Sequence, residues 1–235
     1  MNRQAEERRS GEPTVGNAAG SVRRAETAAR IGREKLIVIL RGVHGASLLR
    51  TAESLCRAGV GLIEYAYDGA LSDRENAQDL GELCRQYGKS LSVGAGTVTS
   101  DARLAMAAEA GAAYILSPDT APARIAKTLQ YGLLSIPGAL TPTEVCRAAE
   151  AGADYIKIFP VSVMGAGYLR DLSSPLRGVR MLAVGGITAE NAREYLEAGA
   201  CGVGVGASLV RKEWVEAGRY DRIREEASRL LAALR

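Results

Sequence analysis

A rhythm runs through this chain. Short apolar runs alternate with longer amphipathic segments, and glycine or a turn closes each segment. The runs are Lys35–Arg41, Leu62–Tyr67, Leu91–Ala95, Tyr114–Ser117, Leu133–Ile136, Tyr155–Pro160, Met181–Val184 and Gly202–Val205. They are too short for helices and too continuously apolar for a half-exposed sheet, so they read as strands buried on both faces. Helices are expected between them over Ala46–Ala58, Asp73–Tyr87, Asp101–Ala110, Pro122–Tyr131, Pro142–Ala151, Tyr168–Leu172, Ala189–Ala198 and Asp221–Leu234. Thr188 is the expected N-cap of the seventh. Gly59, Gly88, Gly111, Gly132, Gly152 and Gly199 are expected stops, because glycine tolerates the left-handed conformation that ends a helix. Eight strand–helix units imply a parallel sheet, and eight close naturally into a (β/α)₈ TIM barrel; an open doubly wound sheet is the alternative.

Length agrees, since 235 residues suit one such barrel, assigned here to residues 21–235 with a short charged helix over Ser21–Arg33 at its start. Residues 1–20 are charged and aperiodic, and are expected to form a disordered or vector-derived N-terminal extension. A net charge of +3 is too small to imply a nucleic-acid or membrane surface. No apolar stretch is long enough to span a bilayer, and the N-terminus is polar, so a cytoplasmic protein is expected. Cys56, Cys84, Cys146 and Cys201 form no CxxC pair, which argues against a zinc site or a disulfide framework and for reduced core thiols. His44 is the single histidine, which argues against a histidine metal cluster or a serine triad. It is expected to be an exposed loop residue.

The chemistry-bearing stretch is Tyr155-Ile-Lys-Ile-Phe-Pro160. With period two, Tyr155, Lys157 and Phe159 share one face, so an ammonium side chain points into an aromatic-lined interior. Taking an amine out of water disfavours its charged form, and a neutral lysine can form a Schiff base with a carbonyl substrate. The alternative is a lysine that snorkels to solvent or pairs with a carboxylate. In a barrel, Lys157 on the sixth strand and Glu64 on the second lie opposite each other and belong to one side-chain layer. A carboxylate there can shuttle the protons that imine chemistry requires. A purely structural Lys–Glu pair is the competing reading.

Glycines at the strand ends add a second signal. Gly185-Gly186 and Gly206-Ala207-Ser208 follow the seventh and eighth strands, where barrels frequently hold a phosphate on backbone N–H groups. They also suit tight turns alone. Thr97 and Gly138 are further candidate lining residues. Arg41, closing the first strand, is the candidate partner for a substrate carboxylate, because a guanidinium offers paired donors. A rim arginine in solvent is the alternative.

Taken in order, Ile39-Leu-Arg-Gly42, Ile63-Glu64, Val93-Gly-Ala-Gly-Thr-Val98, Ser117-Pro118, Ile136-Pro-Gly138, Lys157-Ile-Phe-Pro160, Val184-Gly-Gly186 and Gly204-Val-Gly206 resemble the KDPG/KHG aldolase family. The resemblance runs from about residue 33 to 234, and it extends to the related 2-keto-3-deoxy-6-phosphogalactonate aldolases. It implies a class I, metal-independent and cofactor-free lyase, usually a homotrimeric barrel. Such an enzyme cleaves a 2-keto-3-deoxy-6-phospho sugar acid, or 4-hydroxy-2-oxoglutarate, to pyruvate and an aldehyde such as glyceraldehyde 3-phosphate or glyoxylate. It further implies Lys157 as the Schiff-base lysine and Glu64 as the acid/base. Thr97 would lie near the pyruvyl carboxylate, and Gly185, Gly186 and Ser208 at the phosphate end. Some members carry an arginine four residues after the glutamate. Here that position is Asp68, which either leaves anion recognition to Arg41 or implies a different substrate. Ala166 stands where many members have proline. A sugar-phosphate isomerase or epimerase on the same barrel, or a trimeric scaffold that has lost its chemistry, are the competing functions.

Overall fold

The computed structural model describes residues 18–235, so the expected extension lies outside the described residues except for its end, where helix α1 (Ala18–Glu34) begins. The parallel strands are β1 (Leu36–Leu40), β2 (Leu62–Ala66), β3 (Ser92–Gly96), β4 (Tyr114–Leu116), β5 (Leu134–Ile136), β6 (Gly138–Ala139), β7 (Ile156–Ile158), β8 (Met181–Val184) and β9 (Gly202–Val205). Their order around the sheet is β5-β4-β3-β2-β1-β9-β8-β7-β6. The expected fifth strand is thus two, separated by Pro137. Proline has no N–H to give a ladder. The strand therefore turns from β4, which it pairs at Leu134–Ile136, to β7, which it pairs at Gly138 and Ala139. The Lys157 N–H donates to the Pro137 carbonyl at 2.9 Å and completes the near-closure. The architecture is the expected TIM-like barrel.

Helices separate successive strands except β5 and β6: α2 (Gly45–Ala58), α3 (Asp73–Tyr87), α4 (Asp101–Glu109), α5 (Pro122–Gln130), α6 (Pro142–Glu150), α7 (Gly165–Ser173) and α8 (Ala192–Glu197). After β9 come α9 (Lys212–Glu216), which the sequence reading missed, and α10 (Tyr220–Ala233). Three further expectations are corrected. Helix α7 is a full turn longer than Tyr168–Leu172 because it starts at Gly165. Helix α8 starts after Asn191, whose side chain accepts from the Thr188 N–H at 2.8 Å, so Thr188 belongs to a preceding turn and is not the N-cap. Gly88 follows α3 in a right-handed conformation. Its lack of a Cβ matters because one would strike the Cys84 carbonyl.

Two cores follow from the strand periodicity. Val38, Leu40, Ile63, Tyr65, Val93, Ile115, Ile156, Ile158, Ala183 and Val203 face the helices. Their alternates Ile37, Ile39, Leu62, Ala66, Tyr114, Leu134, Ile136, Tyr155, Leu182 and Val184 fill the barrel interior. The N-terminal end is plugged by α1, where Ile31 joins the inner core and Ala28 accepts from the Tyr155 hydroxyl at 3.0 Å. Arg24 of α1 is paired with Asp154 at 2.9 Å, and that carboxylate also accepts from the Ser135 N–H. No helix among the described residues is long and apolar enough to cross a membrane. All four cysteines are free and partly buried.

Candidate active site

Lys157 occupies the middle of β7 and points into the barrel, as the alternation required. Its side chain is buried at 5% exposure, and its Nζ lies 4.7 Å from the centroid of the Phe159 ring at the barrel mouth. Tyr155, on the same face, sits one layer deeper. Glu64 enters from β2 between Leu62 and Ala66 and is fully buried. Neither of its carboxylate oxygens has a hydrogen-bond partner. Burial holds its carboxyl above the ordinary range, opposed by the positive charges of Lys157 first and Arg41 second. The lysine and the carboxylate therefore sense each other across the barrel without closing into a hydrogen-bonded ion pair. That is the opposite of a structural salt bridge, which must be fully bonded to offset desolvation. A carboxyl held above its ordinary range by burial, beside a sheltered amine, is suited to taking up and releasing protons.

Room for Glu64 comes from β3. A Cβ on Gly96 would overlap the Glu64 carboxylate, and one on Gly94 would overlap the Tyr114 ring. The register places Glu64, Gly94 and Tyr114 side by side on adjacent strands. The glycines thus exchange two side chains for one carboxylate and one aromatic ring inside a closely packed barrel. Tyr114 was not singled out from the sequence. Its hydroxyl is buried without a partner, and burial, followed by the nearby Glu64 charge, pushes its pKa well above the ordinary value. The strand alternation alone would have placed it on the inner face.

The remaining candidates all lie at the C-terminal strand ends. Arg41 follows β1; its side chain is exposed, yet its Nη2 donates to the Thr97 Oγ1 at 3.2 Å. Thr97 follows β3 with φ +59°, a left-handed conformation that is rare for a β-branched residue. Gly138 pairs with Lys157 in register, and a Cβ there would strike the Ser117 and Pro118 carbonyls. Gly185 and Gly186 both have positive φ; Gly185 lies against Phe159 and Pro160, and a Cβ on Gly186 would strike the Ser162 side chain. Ser208 donates its hydroxyl proton to the Ile187 carbonyl at 2.6 Å, tying the loop that starts at Gly206 to the one after β8. Any anion bound between these loops would meet backbone N–H groups before a free hydroxyl.

His44 corrects the sequence reading. It is half-buried, with Nε2 3.1 Å from Asp68 Oδ2 and Nδ1 3.2 Å from Asp79 Oδ2. Asp68 and Asp79 lie far from His44 along the chain, so no local pattern announced the cluster. Asp68 is held by this ring and by the Ala70 N–H, and these contacts, the backbone one foremost, keep its carboxyl below the usual range. Cavity size does not mark the site. A cavity of about 750 Å³, lined by Arg23, Arg30, Arg33 and Lys89, lies at the other end of the barrel beside α1.

A parallel barrel carrying an inward lysine, a facing unpaired carboxyl and an arginine at its mouth defines the class of barrel enzymes equipped for lysine-imine chemistry. Comparison with known proteins narrows the class. Residues 28–226 match the model of the "KDPG and KHG aldolase" family, and the chain belongs to that family. It is 33% identical over 177 residues to the 2-dehydro-3-deoxy-6-phosphogalactonate aldolase of Escherichia coli K12, covering 75% of this chain and 84% of that protein. A probable 2-dehydro-3-deoxy-6-phosphogalactonate aldolase of Rhizobium meliloti 1021 is 32% identical, covering 84% and 90%. Among solved structures, "Native KDPGal structure" superposes with a TM-score of 0.77 at 30% identity, covering 85% of this chain and 93% of that one.

Proposed function

We propose that this chain is a class I aldolase that reversibly cleaves a 4-hydroxy-2-keto acid, of the 2-keto-3-deoxy-6-phospho sugar acid type, to pyruvate and an aldehyde. The single observation that carries this reading is the buried Lys157 amine facing a buried carboxyl that no hydrogen bond engages. The Lys157 amine, having given up its proton, attacks the C2 carbonyl, and the carbinolamine loses water to give an imine. Glu64 takes the proton of the C4 hydroxyl as the C3–C4 bond breaks, releasing the aldehyde and leaving an enamine. The same carboxyl returns that proton to C3, and water hydrolyses the imine to pyruvate and the free amine.

Arg41 and Thr97 bind the keto-acid carboxylate, with Gly138 and Phe159 lining the site beside Lys157. The loops of Gly185, Gly186, Gly206 and Ser208 receive the phosphate end. Asp68 does not compete for the anion directly, because its oxygens are already engaged by His44 and the Ala70 N–H. The identities to 2-dehydro-3-deoxy-6-phosphogalactonate aldolases favour the galactonate-type substrate. The protein acts without a metal, as a cytoplasmic homotrimer. Exposure of Phe159, Val163 and Met164 beside the site supports burial of that edge against a second copy.

The test is release of pyruvate from the phosphogalactonate, the phosphogluconate and 4-hydroxy-2-oxoglutarate substrates, followed by coupled reduction to lactate with EDTA present. Turnover on any of them supports the reading; none on a folded protein refutes it.

A further inference from the structure

One arginine outside the site bonds to its left-handed corner. Arg103, in the first turn of α4, donates from Nη1 to the Thr97 carbonyl at 3.1 Å and from Nε to Asp73 Oδ1 at 2.8 Å. Its guanidinium lies over the ring of buried Tyr67, 5.5 Å from the centroid. The Arg103 backbone and its partner Asp73 are themselves fixed. Ser100 caps α4 by accepting from the Arg103 N–H, and Ser72 and Glu75 form a reciprocal capping box that fixes the first turn of α3, where Asp73 sits.

A left-handed threonine persists only where its surroundings over-determine it. On the strand side Thr97 follows Gly96, whose carbonyl accepts from the Tyr67 N–H, and it precedes Val98, whose N–H donates to the Leu116 carbonyl. Arg103 bonds the intervening carbonyl, that of Thr97 itself. With the backbone so turned, the Thr97 hydroxyl accepts from Arg41 Nη2, which is otherwise an exposed arginine. The result is a continuous chain of polar contacts, Asp73–Arg103–Thr97–Arg41, running from two helix starts to the barrel mouth.

We propose that Arg103 is a positioning residue that sets affinity for the keto-acid carboxylate by holding Thr97 left-handed and, through it, Arg41 over the mouth. The proposal rests on the aldolase reading, with Arg41 and Thr97 as the carboxylate site. It makes Arg103 a determinant of binding and not of the imine step, which belongs to Lys157 across the barrel and to Glu64, which enters from β2 between the strands that carry Arg41 and Thr97.

The experiment compares wild type, Arg103→Gln and Arg103→Lys. Lysine keeps the charge but, as a single ammonium, cannot hold Asp73 and Thr97 in the same fork geometry. Both variants are expected to raise the KM for the keto acid and the pyruvate concentration needed for half-maximal borohydride trapping by about tenfold, with kcat changed less than about threefold. Trapping of acetone, a carbonyl without a carboxylate, is expected to be unchanged. In the Arg41→Ala background, Arg103→Gln is expected to add less than about twofold, because the two residues act on one contact. Wild-type KM in Arg103→Lys, equal losses with acetone and pyruvate, or full additivity with Arg41→Ala would each overturn the proposal. Absence of pyruvate trapping in wild type would instead refute the aldolase reading on which it rests.

Discussion

Gly96→Ala tests how the barrel makes room for its acid/base. Gly96 is in extended backbone on β3, so alanine meets no conformational penalty there; the only obstacle is the added methyl, which would occupy the space of the Glu64 carboxylate. The strand cannot retreat, because it pairs on both sides with β2 and β4. Glu64 must therefore leave its rotamer, and overpacking of one methyl in such a core costs about 2 kcal/mol, or about 4–8 °C in melting temperature for a chain of this size. Displacing a proton-transfer group by an ångström costs about a hundredfold in rate. Gly94→Ala is the matched control, since its methyl meets the Tyr114 ring and not the carboxylate. The assay is exchange of pyruvate methyl protons with deuterated water, which reads the enamine protonation step alone, alongside thermal unfolding. The expected outcome is a similar loss of melting temperature in both variants, with a hundredfold slower exchange confined to Gly96→Ala. Exchange in Gly96→Ala within a few-fold of Gly94→Ala would refute the argument that Gly96 exists to seat Glu64.

The raised Glu64 carboxyl also predicts a pH signature. Its folded state binds the proton more tightly than the unfolded chain does, so its contribution to stability is full below about pH 4.5 and declines as the pH rises through the folded value. Glu64→Gln, which stays neutral, should melt higher than wild type at pH 8, with the gap narrowing towards pH 5; a constant gap would contradict a desolvated carboxyl. Arg41→Ala should raise the KM for the keto acid by about 10–100-fold, the worth of a charged hydrogen bond, and an unaltered KM would move the carboxylate elsewhere. Arg24→Ala should cost about 1–3 kcal/mol in chemical unfolding, since it removes the pairing of the buried Asp154 from a partly exposed arginine. No loss would mean that the contact of α1 with the barrel floor is not anchored there.

What could be read from the chain and what could not divide along a physical line. The strand–helix alternation and the two-residue period carried the barrel, the inward direction of Lys157 and Glu64, and the Leu62–Ala66 face, because each depends on local spacing alone. Pro137 split the fifth strand because a residue without an N–H serves one neighbour before it and the other after it, a property of barrel closure rather than of the local pattern. The α8 start moved because the Asn191 side chain captured the Thr188 N–H, a competition between two good capping residues three positions apart. His44 was misread for a different reason. Its partners Asp68 and Asp79 come from other segments, and only the folded barrel brings two carboxylates to one imidazole. Arg103 and Tyr114 escaped likewise. An arginine in a first helical turn and a tyrosine in a strand are ordinary until the Thr97 carbonyl and the Glu64 carboxylate are beside them.

The reaction proposed here begins when Lys157 forms an imine with pyruvate or its keto-acid precursor. Borohydride reduction in the presence of pyruvate, followed by peptide mass mapping of wild type and Lys157→Ala, is the decisive measurement. One pyruvyl adduct is expected, on Lys157, absent from the folded alanine variant. A folded wild-type protein that yields no adduct, or an adduct on another lysine, would contradict it.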